Sequence, residues 1–385
     1  MENPLLSLTL ADLRERHSLK WRLYGDDVLP LWVAEMDVLP PEPVTRAVSD
    51  AMARGDTGYP WARDYAEAVA GFADRHWGWA PDPARARLVP NVMLGISEVL
   101  KLVTGPGDAV VLNPPVYPPF FAFIGNLGRR VVEAPLGTDG RLDLPALDTA
   151  FGEARRGGGP TAYLLCSPHN PTGVVHTSKE LMAAGELAAD HGVRVVVDEI
   201  HAPLVYDARA FTPYLSLPVG PTAFSLMSAS KCFNLAGLPS ALALAGTDAQ
   251  RDLARMPEEV AFGASHLGAL AQAAGLREGD LWLGALVAGL DENRRLLADL
   301  LSVRLPDIGY RVPDATYLAW LDCRAVGLGQ DPAAVFRRRG RVALSPGPAF
   351  GTGGEGHARL NFATSPDILT QAVERMAVAA DGDPH

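Results

Sequence analysis

Short apolar segments alternate with amphipathic segments over much of this 385-residue chain. Amphipathic helices are predicted at about residues 42–54, 61–77 and 178–192. Tyr65, Val69 and Phe72 share one face of the second helix, and Gly192 ends the third. Strands are predicted in the apolar segments 129–136, 193–201, 222–231 and 237–246. Segment 108–115 predicts a strand that ends in a proline turn, and 161–173 predicts a strand that runs into a loop. Because these segments are apolar on both faces and alternate with helices, they indicate a parallel α/β sheet covered by helices on both sides.

The remainder of the chain predicts a second, smaller domain. Single cores stop growing at about 250–300 residues, and this chain is longer. A long amphipathic helix is predicted at 280–304 as the bridge into that domain. We therefore predict an N-terminal arm and small-domain segment at 1–42, a large domain at 43–282 and a small C-terminal domain at 283–385. Strand-like segments of the small domain are 315–323, 341–347 and 358–364.

Composition excludes several classes of function. The formal net charge of −11 argues against binding to a nucleic-acid backbone, which needs clustered Lys and Arg. The three cysteines lack CxxC spacing, so we predict neither a metal site nor a disulfide framework, and free thiols fit a reducing cytoplasm. The N-terminal residues do not have the pattern of a signal peptide, and the apolar run 281–290 is too short to span a membrane. We expect a cytoplasmic protein.

Polar side chains follow three of the predicted strands. Asn170, Asp198 and Lys231 each come at or just after the end of an apolar segment. Because ligands bind at the carboxyl ends of parallel strands, we expect these side chains to meet at one edge of the sheet.

These three residue types suit one cofactor chemistry. A desolvated lysine attacks carbonyl groups, because burial lowers its pKa. A carboxylate such as that of Asp198 can pair with the protonated pyridine nitrogen of pyridoxal 5′-phosphate (PLP), and Asn170 can donate to its ring oxygen. Taken singly, Lys231 also fits a solvated loop lysine, Asp198 a cap or turn residue, and Asn170 a turn former before proline.

The motifs resemble those of a known family. NPTG, DEIH and SASK follow one another in the order found in fold-type I PLP enzymes, and the chain resembles the MalY/PatB-type cystathionine β-lyases, or C–S lyases, over nearly its whole length. This resemblance implies an aspartate-aminotransferase-like α/β fold, with a large domain containing a mostly parallel sheet flanked by helices and a smaller C-terminal α/β domain. The matching segments are PLWVAEMD (30–37), GYP (58–60), PPVYPPF (114–120), SPHNPTG (167–173), VVDEIHAPLVY (196–206), SASKCFNLAGL (228–238), TYLAWLDC (316–323), LSPGPAFG (344–351) and RLNFATS (359–365).

The resemblance also implies roles for individual residues. Lys231 would bind PLP covalently and later move the Cα proton, as the catalytic residue. Arg359 would hold the substrate α-carboxylate, with Trp32 and Tyr117 also contacting the substrate. The remaining cofactor contacts implied are Asp198 to the ring nitrogen, Asn170 to the ring oxygen with His201 nearby, Tyr117 stacked on the ring, and Val92, Met93, Ser228 and Tyr59 of a partner subunit at the phosphate.

The resemblance further implies a homodimer that cleaves cystathionine or another S-substituted L-cysteine to a thiol, pyruvate and ammonia. An aminotransferase is an alternative, but many of these carry an arginine eight residues after the lysine, where this chain has Pro239. Oxidative decarboxylation–deamination of a cysteine conjugate and a regulatory PLP-binding protein are further alternatives. Glu35, Pro203 and the 91–93 segment depart from the family pattern, so the substrate stays open between sulfur amino acid metabolism and specialised metabolism.

Overall fold

The computed structural model describes residues 1–382, which form two compact units. The large unit contains Pro40–His169 and Val174–Asp280. The small unit contains Met1–Leu39, Asn170–Gly173 and residues 281–382. The two units do not define domains, so the domain boundaries at 42/43 and 282/283 stay a prediction. Among the described residues, no helix is both long enough and apolar enough to cross a membrane.

The elements are numbered along the chain. The α-helices are α1 (Leu10–Arg14), α2 (Leu19–Arg22), α3 (Glu42–Arg54), α4 (Ala62–Trp77), α5 (Val92–Val103), α6 (Pro119–Asn126), α7 (Leu144–Arg155), α8 (Ser178–Asp190), α9 (Gln250–Leu253), α10 (His266–Glu278), α11 (Asp280–Arg304), α12 (Pro332–Gly340) and α13 (Pro366–Ala380). The strands are β1 (Leu29–Pro30), β2 (Ala86–Val89), β3 (Ala109–Leu112), β4 (Arg130–Glu133), β5 (Thr161–Cys166), β6 (Arg194–Asp198), β7 (Phe224–Met227), β8 (Ala241–Ala245), β9 (Gly309–Tyr310), β10 (Leu318–Asp322), β11 (Val342–Ala343), β12 (Ser345–Pro346) and β13 (His357–Asn361).

A seven-stranded sheet forms the centre of the large unit, in the order β2-β8-β7-β6-β5-β3-β4. Strands β3 to β7 run parallel, whereas β8 is antiparallel to both of its neighbours. The apolar segment 237–246 therefore runs against the parallel direction that its pattern suggested. A parallel connection needs a crossover, usually a helix. Residues 228–240 form only turns between β7 and β8, so the chain returns directly as an antiparallel neighbour.

Both faces of this sheet are buried, as the apolar strands predicted. Successive strand residues point to opposite faces. On one face, Val110 and Leu164 pack with residues of α5 and α6, and on the other, Val111 and Leu165 pack with residues of α7 and α8. Helix α8 begins with a capping box in which Thr177 and Glu180 bond to each other's backbone N–H groups, which satisfies donors that the first turn leaves unpaired.

In the small unit, the strand β13 lies within an antiparallel sheet of order β12-β13-β10-β9. The segment 30–37 runs beside β13 because the Asn361 side chain donates to the carbonyl oxygens of Val33 and Glu35, at 2.8 and 2.7 Å. A buried ion pair between Lys20 and Asp37, 2.8 Å apart, holds the far end of that segment. These bonds fix the backbone of the N-terminal arm next to the strand that carries Arg359.

Candidate active site

Asp198 and Lys231 lie at the carboxyl edge of the large unit's sheet. Asp198 is the last residue of β6 and pairs in register with Cys166, the last residue of β5. Lys231 follows the end of β7, the other neighbour of β6. The two side chains interact electrostatically, because the charge of Lys231 lowers the pKa of Asp198. The expectation that consecutive strand ends bring these two residues together agrees with this arrangement.

The carboxyl group of Asp198 is only 4% exposed. Burial raises its pKa from 3.8 to about 6, against the opposing effects of the Ile200 N–H, which donates at 3.0 Å, and of Lys231. A buried carboxylate keeps its charge only when donors or a positive charge lie beside it. This position therefore suits a cationic group such as a protonated ring nitrogen.

A second acid, Glu199, is buried beside Asp198. Its carboxylate accepts bonds from the Ser225 hydroxyl and from the backbone N–H of Tyr214, the latter at 2.8 Å. Burial, together with the neighbouring charge of Asp198, raises the pKa of Glu199 to about 7. Because Glu199 is bound by its own network, Asp198 is the acid at this edge that can pair with a ligand.

The N-terminus of helix α5 has the features that favour an anion. The helix begins at Val92, so Val92 and Met93 belong to its first turn. The Asn91 side chain caps the helix by accepting from the N–H of Leu94 at 2.9 Å. The first N–H groups of a helix have no intrahelical acceptor, and together with the helix dipole they favour a phosphate.

Tyr117 and His201 come from loops that follow β3 and β6. Tyr117 is half-buried and packs edge-on against Phe120, with ring centroids 5.6 Å apart. His201 is 3% exposed and lies three residues beyond Asp198. Both loops leave the carboxyl edge of the sheet, so the placement of their backbones is compatible with the cofactor contacts predicted for them.

The hydroxyl group of Ser228 is already part of a buried network. It is within donating distance of the carbonyl oxygen of Ser240, at 2.8 Å, and of the amide oxygen of Gln272, at 3.0 Å. It also accepts from the N–H of Ser230. Sequence reasoning missed Gln272, although a glutamine within the apolar helix HLGALAQAAGLRE was a usable signal, because a buried polar residue needs partners.

Arg359, in the small unit, is 5% exposed and its guanidinium is held in one orientation. Nη1 donates to the Asn170 side-chain oxygen at 3.0 Å, and Nη2 donates to the Trp32 carbonyl and the Ser345 hydroxyl, each at 3.1 Å. The guanidinium also lies over the ring of Phe350, 5.2 Å from its centroid. These three oxygens are neutral, so they orient the fork without cancelling its charge.

The same contact orients Asn170. Its amide oxygen accepts from Arg359, so its amide nitrogen is presented as a donor. Donation is the role that the sequence predicted for this residue. The indole nitrogen of Trp32 is buried without a hydrogen-bond partner among the described residues. Trp32 therefore contributes both a carbonyl acceptor for Arg359 and a donor that a ligand can satisfy.

Tyr59 lies at the surface of the large unit. Its side chain is 79% exposed, and its ring lies 5.2 Å from that of Phe262. Its predicted phosphate contact, made in a partner subunit, stays a prediction.

The residues of the large unit fit PLP by their chemistry. PLP carries an aldehyde, a ring nitrogen that can be protonated, and a phosphate. Lys231 is an amine for the aldehyde, Asp198 is a buried carboxylate that favours a cation, and the first turn of α5 favours an anion.

Comparison with known proteins supports the same cofactor. Residues 26–376 match the family model for aminotransferase class I and II. A Mycobacterium leprae protein with the provisional name cystathionine β-lyase is 54% identical, over 98% of this chain and 98% of its own length. Cystathionine β-lyase PatB of Bacillus subtilis is 34% identical, over 94% of this chain and 96% of its own length. The solved structure of a Corynebacterium diphtheriae protein, provisionally named a PLP-dependent β-cystathionase, superposes with a TM-score of 0.91 at 32% identity, covering 98% of this chain and 99% of the other.

These similarities confirm the aspartate-aminotransferase-like fold and PLP as the cofactor predicted from the sequence, and they favour a C–S lyase over an aminotransferase. The chain belongs to the aminotransferase class I and II family of PLP-dependent enzymes, and within it to the cystathionine β-lyases of the MalY/PatB type.

Proposed function

We propose that this enzyme cleaves the carbon–sulfur bond of cystathionine or another S-substituted L-cysteine by β-elimination. The observation that carries the proposal is that Lys231 lies near enough to buried Asp198 at the sheet edge to lower its pKa, in a chain 54% identical to a relative named for this activity. The products are a thiol, pyruvate and ammonia. A PLP enzyme whose Arg359 can bind a carboxylate is suited to an amino-acid substrate, because such a substrate carries both an amine and a carboxylate.

Lys231 is the proposed catalytic residue. Its side-chain amine would hold PLP at the aldehyde and, once free, would accept the proton from Cα of the substrate. Asp198 holds a positive charge on the ring nitrogen, and bound PLP supplies the electron sink that stabilises the carbanion. The Cβ–S bond then breaks, the sulfur leaves as a thiolate that takes up a proton, and the three-carbon fragment reacts with water to give pyruvate and ammonia.

The other cofactor contacts position PLP. Asn170 would donate to the ring oxygen, and His201 would lie near that oxygen. Tyr117 would stack on the ring, where offset stacking adds about 0.5–1.5 kcal/mol. The backbone N–H groups of Val92 and Met93, which begin α5, would donate to the phosphate. In this proposal, Ser228 and Tyr59 from a second copy of the chain would complete the phosphate site, and the hydroxyl hydrogen of Ser228 would turn from the Ser240 carbonyl to the phosphate.

Arg359, Trp32 and Tyr117 are the proposed substrate contacts. The guanidinium of Arg359 would bind the substrate α-carboxylate through charge-assisted hydrogen bonds, with a planar donor geometry that lysine does not reproduce. Its bonds to Asn170 and Trp32 support this role, because they fix the fork before the substrate arrives.

We also propose a cytoplasmic homodimer. Three aromatic side chains of the large unit are exposed in the single chain, with exposed fractions of 79% for Tyr59, 68% for Trp61 and 59% for Phe262. Exposed apolar surface of this kind is typical of an interface, and a twofold dimer is the commonest closed assembly.

The reaction is tested by product release. We expect the purified enzyme to be yellow and to release pyruvate and a thiol from S-alkyl cysteines and from cystathionine without an added keto acid. Lys231→Ala should lose the covalent link to PLP and nearly all turnover. Lys101→Ala, which removes a half-exposed lysine paired with Glu98, is the control and should keep both. A requirement for a keto-acid acceptor, with a new amino acid as product, would identify an aminotransferase instead.

The role of Asp198 predicts opposite effects on stability and activity. Folding raises the pKa of this carboxyl to about 6, so the folded protein holds a proton that the unfolded chain has already released. The free energy of unfolding of the PLP-free protein therefore falls as pH rises from about 4 to about 6. Asp198→Asn removes the titrating carboxyl and with it this fall in the free energy of unfolding. We therefore expect the free energy of unfolding of the variant to exceed that of the wild type by about 2 kcal/mol at pH 8 and to match it at pH 4.

Urea denaturation of PLP-free protein at the two pH values measures this difference. In the same variant, turnover should fall by orders of magnitude, because a neutral amide does not balance a protonated ring nitrogen. Equal pH dependence in the two proteins would rule out a raised pKa for Asp198.

Arg359→Lys tests the carboxylate clamp. The variant should keep the yellow colour, because PLP binding does not use this residue. Its kcat/KM should fall about tenfold to a hundredfold, since a hydrogen bond to a charged group contributes about 1.5–3 kcal/mol. Arg324→Lys is the matched control, because this exposed arginine makes a bidentate pair with Asp322 in the same unit and should leave kcat/KM unchanged. An unchanged kcat/KM in Arg359→Lys would exclude the clamp.

Tyr59→Phe tests the contribution of a second subunit. The variant removes only a hydroxyl from an exposed side chain, so folding and the sedimentation coefficient of the dimer should stay the same. Loss of PLP on dialysis should be faster than in the wild type, because one phosphate contact is missing. A fully active monomer at assay concentration would disprove both the dimer and this role of Tyr59.

A further inference from the structure

A buried hydrogen-bond network surrounds the loop that carries Lys231. This loop, residues 228–240, connects β7 to β8, and we call it the lysine loop. Two side chains from outside the loop enter the network, Gln272 from α10 and Tyr65 from α4. All of these residues belong to the large unit.

The amide oxygen of Gln272 binds the first end of the lysine loop. Gln272 is 0% exposed, and its oxygen accepts from the Ala229 N–H at 2.9 Å and lies 3.0 Å from the Ser228 hydroxyl. The Tyr65 hydroxyl donates to the same oxygen at 2.6 Å. The Tyr65 oxygen also lies 3.4 Å from the Ala229 N–H. The backbone of Ala229 and the side chain of Ser228, two and three residues before Lys231, are therefore attached to these helices.

The amide nitrogen of Gln272 binds the other end of the lysine loop. It donates to the carbonyl oxygen of Ser240 at 3.0 Å and approaches that of Leu238 at 3.4 Å. The Ser228 hydroxyl reaches the same Ser240 carbonyl. One fully buried side chain thus joins the residues just before Lys231 to the residues that lead into β8.

Helix α10 approaches the lysine loop closely on either side of Gln272. A Cβ atom at Gly268 would lie 2.5 Å from the carbonyl oxygen of Leu238, and one at Gly275 would lie 2.7 Å from the ring of Phe233. Residues 268, 272 and 275 share one face of the helix, because side chains three and four apart are neighbours. The two glycines let the helix lie near enough for the Gln272 amide to reach both ends of the loop.

We propose that Gln272 and Tyr65 are positioning residues for the PLP site, which hold Ser228 and the backbone before Lys231 in the geometry that binds the cofactor. This inference rests on the proposed function, because it assigns the lysine loop to PLP. Neither side chain takes part in proton transfer. Their effect is on how well the amine of Lys231 and the hydroxyl of Ser228 are placed, and small displacements of reacting groups are costly.

The state of Tyr65 supports this assignment. Burial raises the pKa of its hydroxyl, so Tyr65 stays a neutral donor over the working pH range. Removing that hydroxyl takes one of the donors from the amide oxygen of Gln272 but leaves the ring to fill its place. Tyr65→Phe therefore loosens the network with little change in packing.

The test compares Tyr65→Phe with Tyr163→Phe. Tyr163 is also fully buried in the large unit, and its hydroxyl also donates to a side-chain amide oxygen at 2.6 Å, that of Asn113. Both variants therefore lose one hydrogen bond to an amide oxygen, and Tyr65→Phe also loses the long 3.4 Å contact from the Ala229 N–H. The PLP-free forms should melt at similarly lowered temperatures. Only Tyr65→Phe should raise the dissociation constant for PLP, by about fivefold, which corresponds to the loss of one neutral hydrogen bond. Only Tyr65→Phe should also weaken the visible circular dichroism of the PLP-saturated enzyme, which reports a fixed cofactor.

A second variant, Gln272→Glu, tests the contacts at one end of the lysine loop while keeping those at the other. An ionised carboxylate still accepts from Ala229 and Ser228 but no longer donates to Leu238 and Ser240. We expect a larger rise in the PLP dissociation constant than in Tyr65→Phe. If Gln272→Glu fails to fold, the comparison of Tyr65→Phe with Tyr163→Phe is sufficient to test the proposal. The same PLP affinity and visible circular dichroism in Tyr65→Phe and Tyr163→Phe would overturn the proposal. Pyruvate release by the wild type is scored separately, so failure of the proposed function is distinguished from failure of this inference.

Discussion

The burial of the Asp198 carboxylate is the constraint on which the large unit's site depends. A negative charge at the end of an apolar strand is costly, and burial accordingly raises the pKa of Asp198 to about 6. The Lys231 charge acts in the opposite direction. The parallel order of β6 and β7 makes this compensation possible, because it brings the ends of both strands to one edge. Under the proposed function, the ring nitrogen of PLP adds a second positive charge there.

The lysine loop is held because β8 returns antiparallel. A helical crossover after β7 would have carried the chain away from the edge, whereas residues 228–240 double back within reach of α10. Gln272 then satisfies donors from one end of the loop and acceptors from the other. Polar groups in such a network stabilise the fold only when all are satisfied, which makes the arrangement of the lysine loop specific.

In the small unit, the N-terminal arm and β13 together orient a buried cation. Asn361 fixes the backbone of residues 33–35, and this places the carbonyl of Trp32 where Arg359 donates to it. Ser345 and Asn170 supply the remaining acceptors. Each acceptor is neutral, so the orientation of the guanidinium is set by hydrogen bonds, while a substrate carboxylate would supply the complementary charge.

The sequence by itself determined the elements and the chemistry of the strand ends. Helix α3 and helix α4 lie within a residue of their predicted limits, because a 3.6-residue period of apolar side chains identifies a buried helix face. The apolar strands ending in Asp198 and before Lys231 were equally readable, since parallel strands covered by helices need apolar side chains on both faces. The order of these motifs sufficed to identify the PLP enzyme family.

Only the tertiary structure decided which groups bond to one another. The periodicity of the sequence does not show the direction of β8, the contact of the Ser228 hydroxyl with Gln272, or the acceptors of Arg359. Tyr65 looked like one more residue of an apolar helix face, yet its hydroxyl bonds to a residue 207 positions away. Local pattern specifies that a side chain is buried, because burial depends on hydrophobicity along one element. The partner of a buried polar group depends on how distant elements pack, and that is settled only when the chain folds.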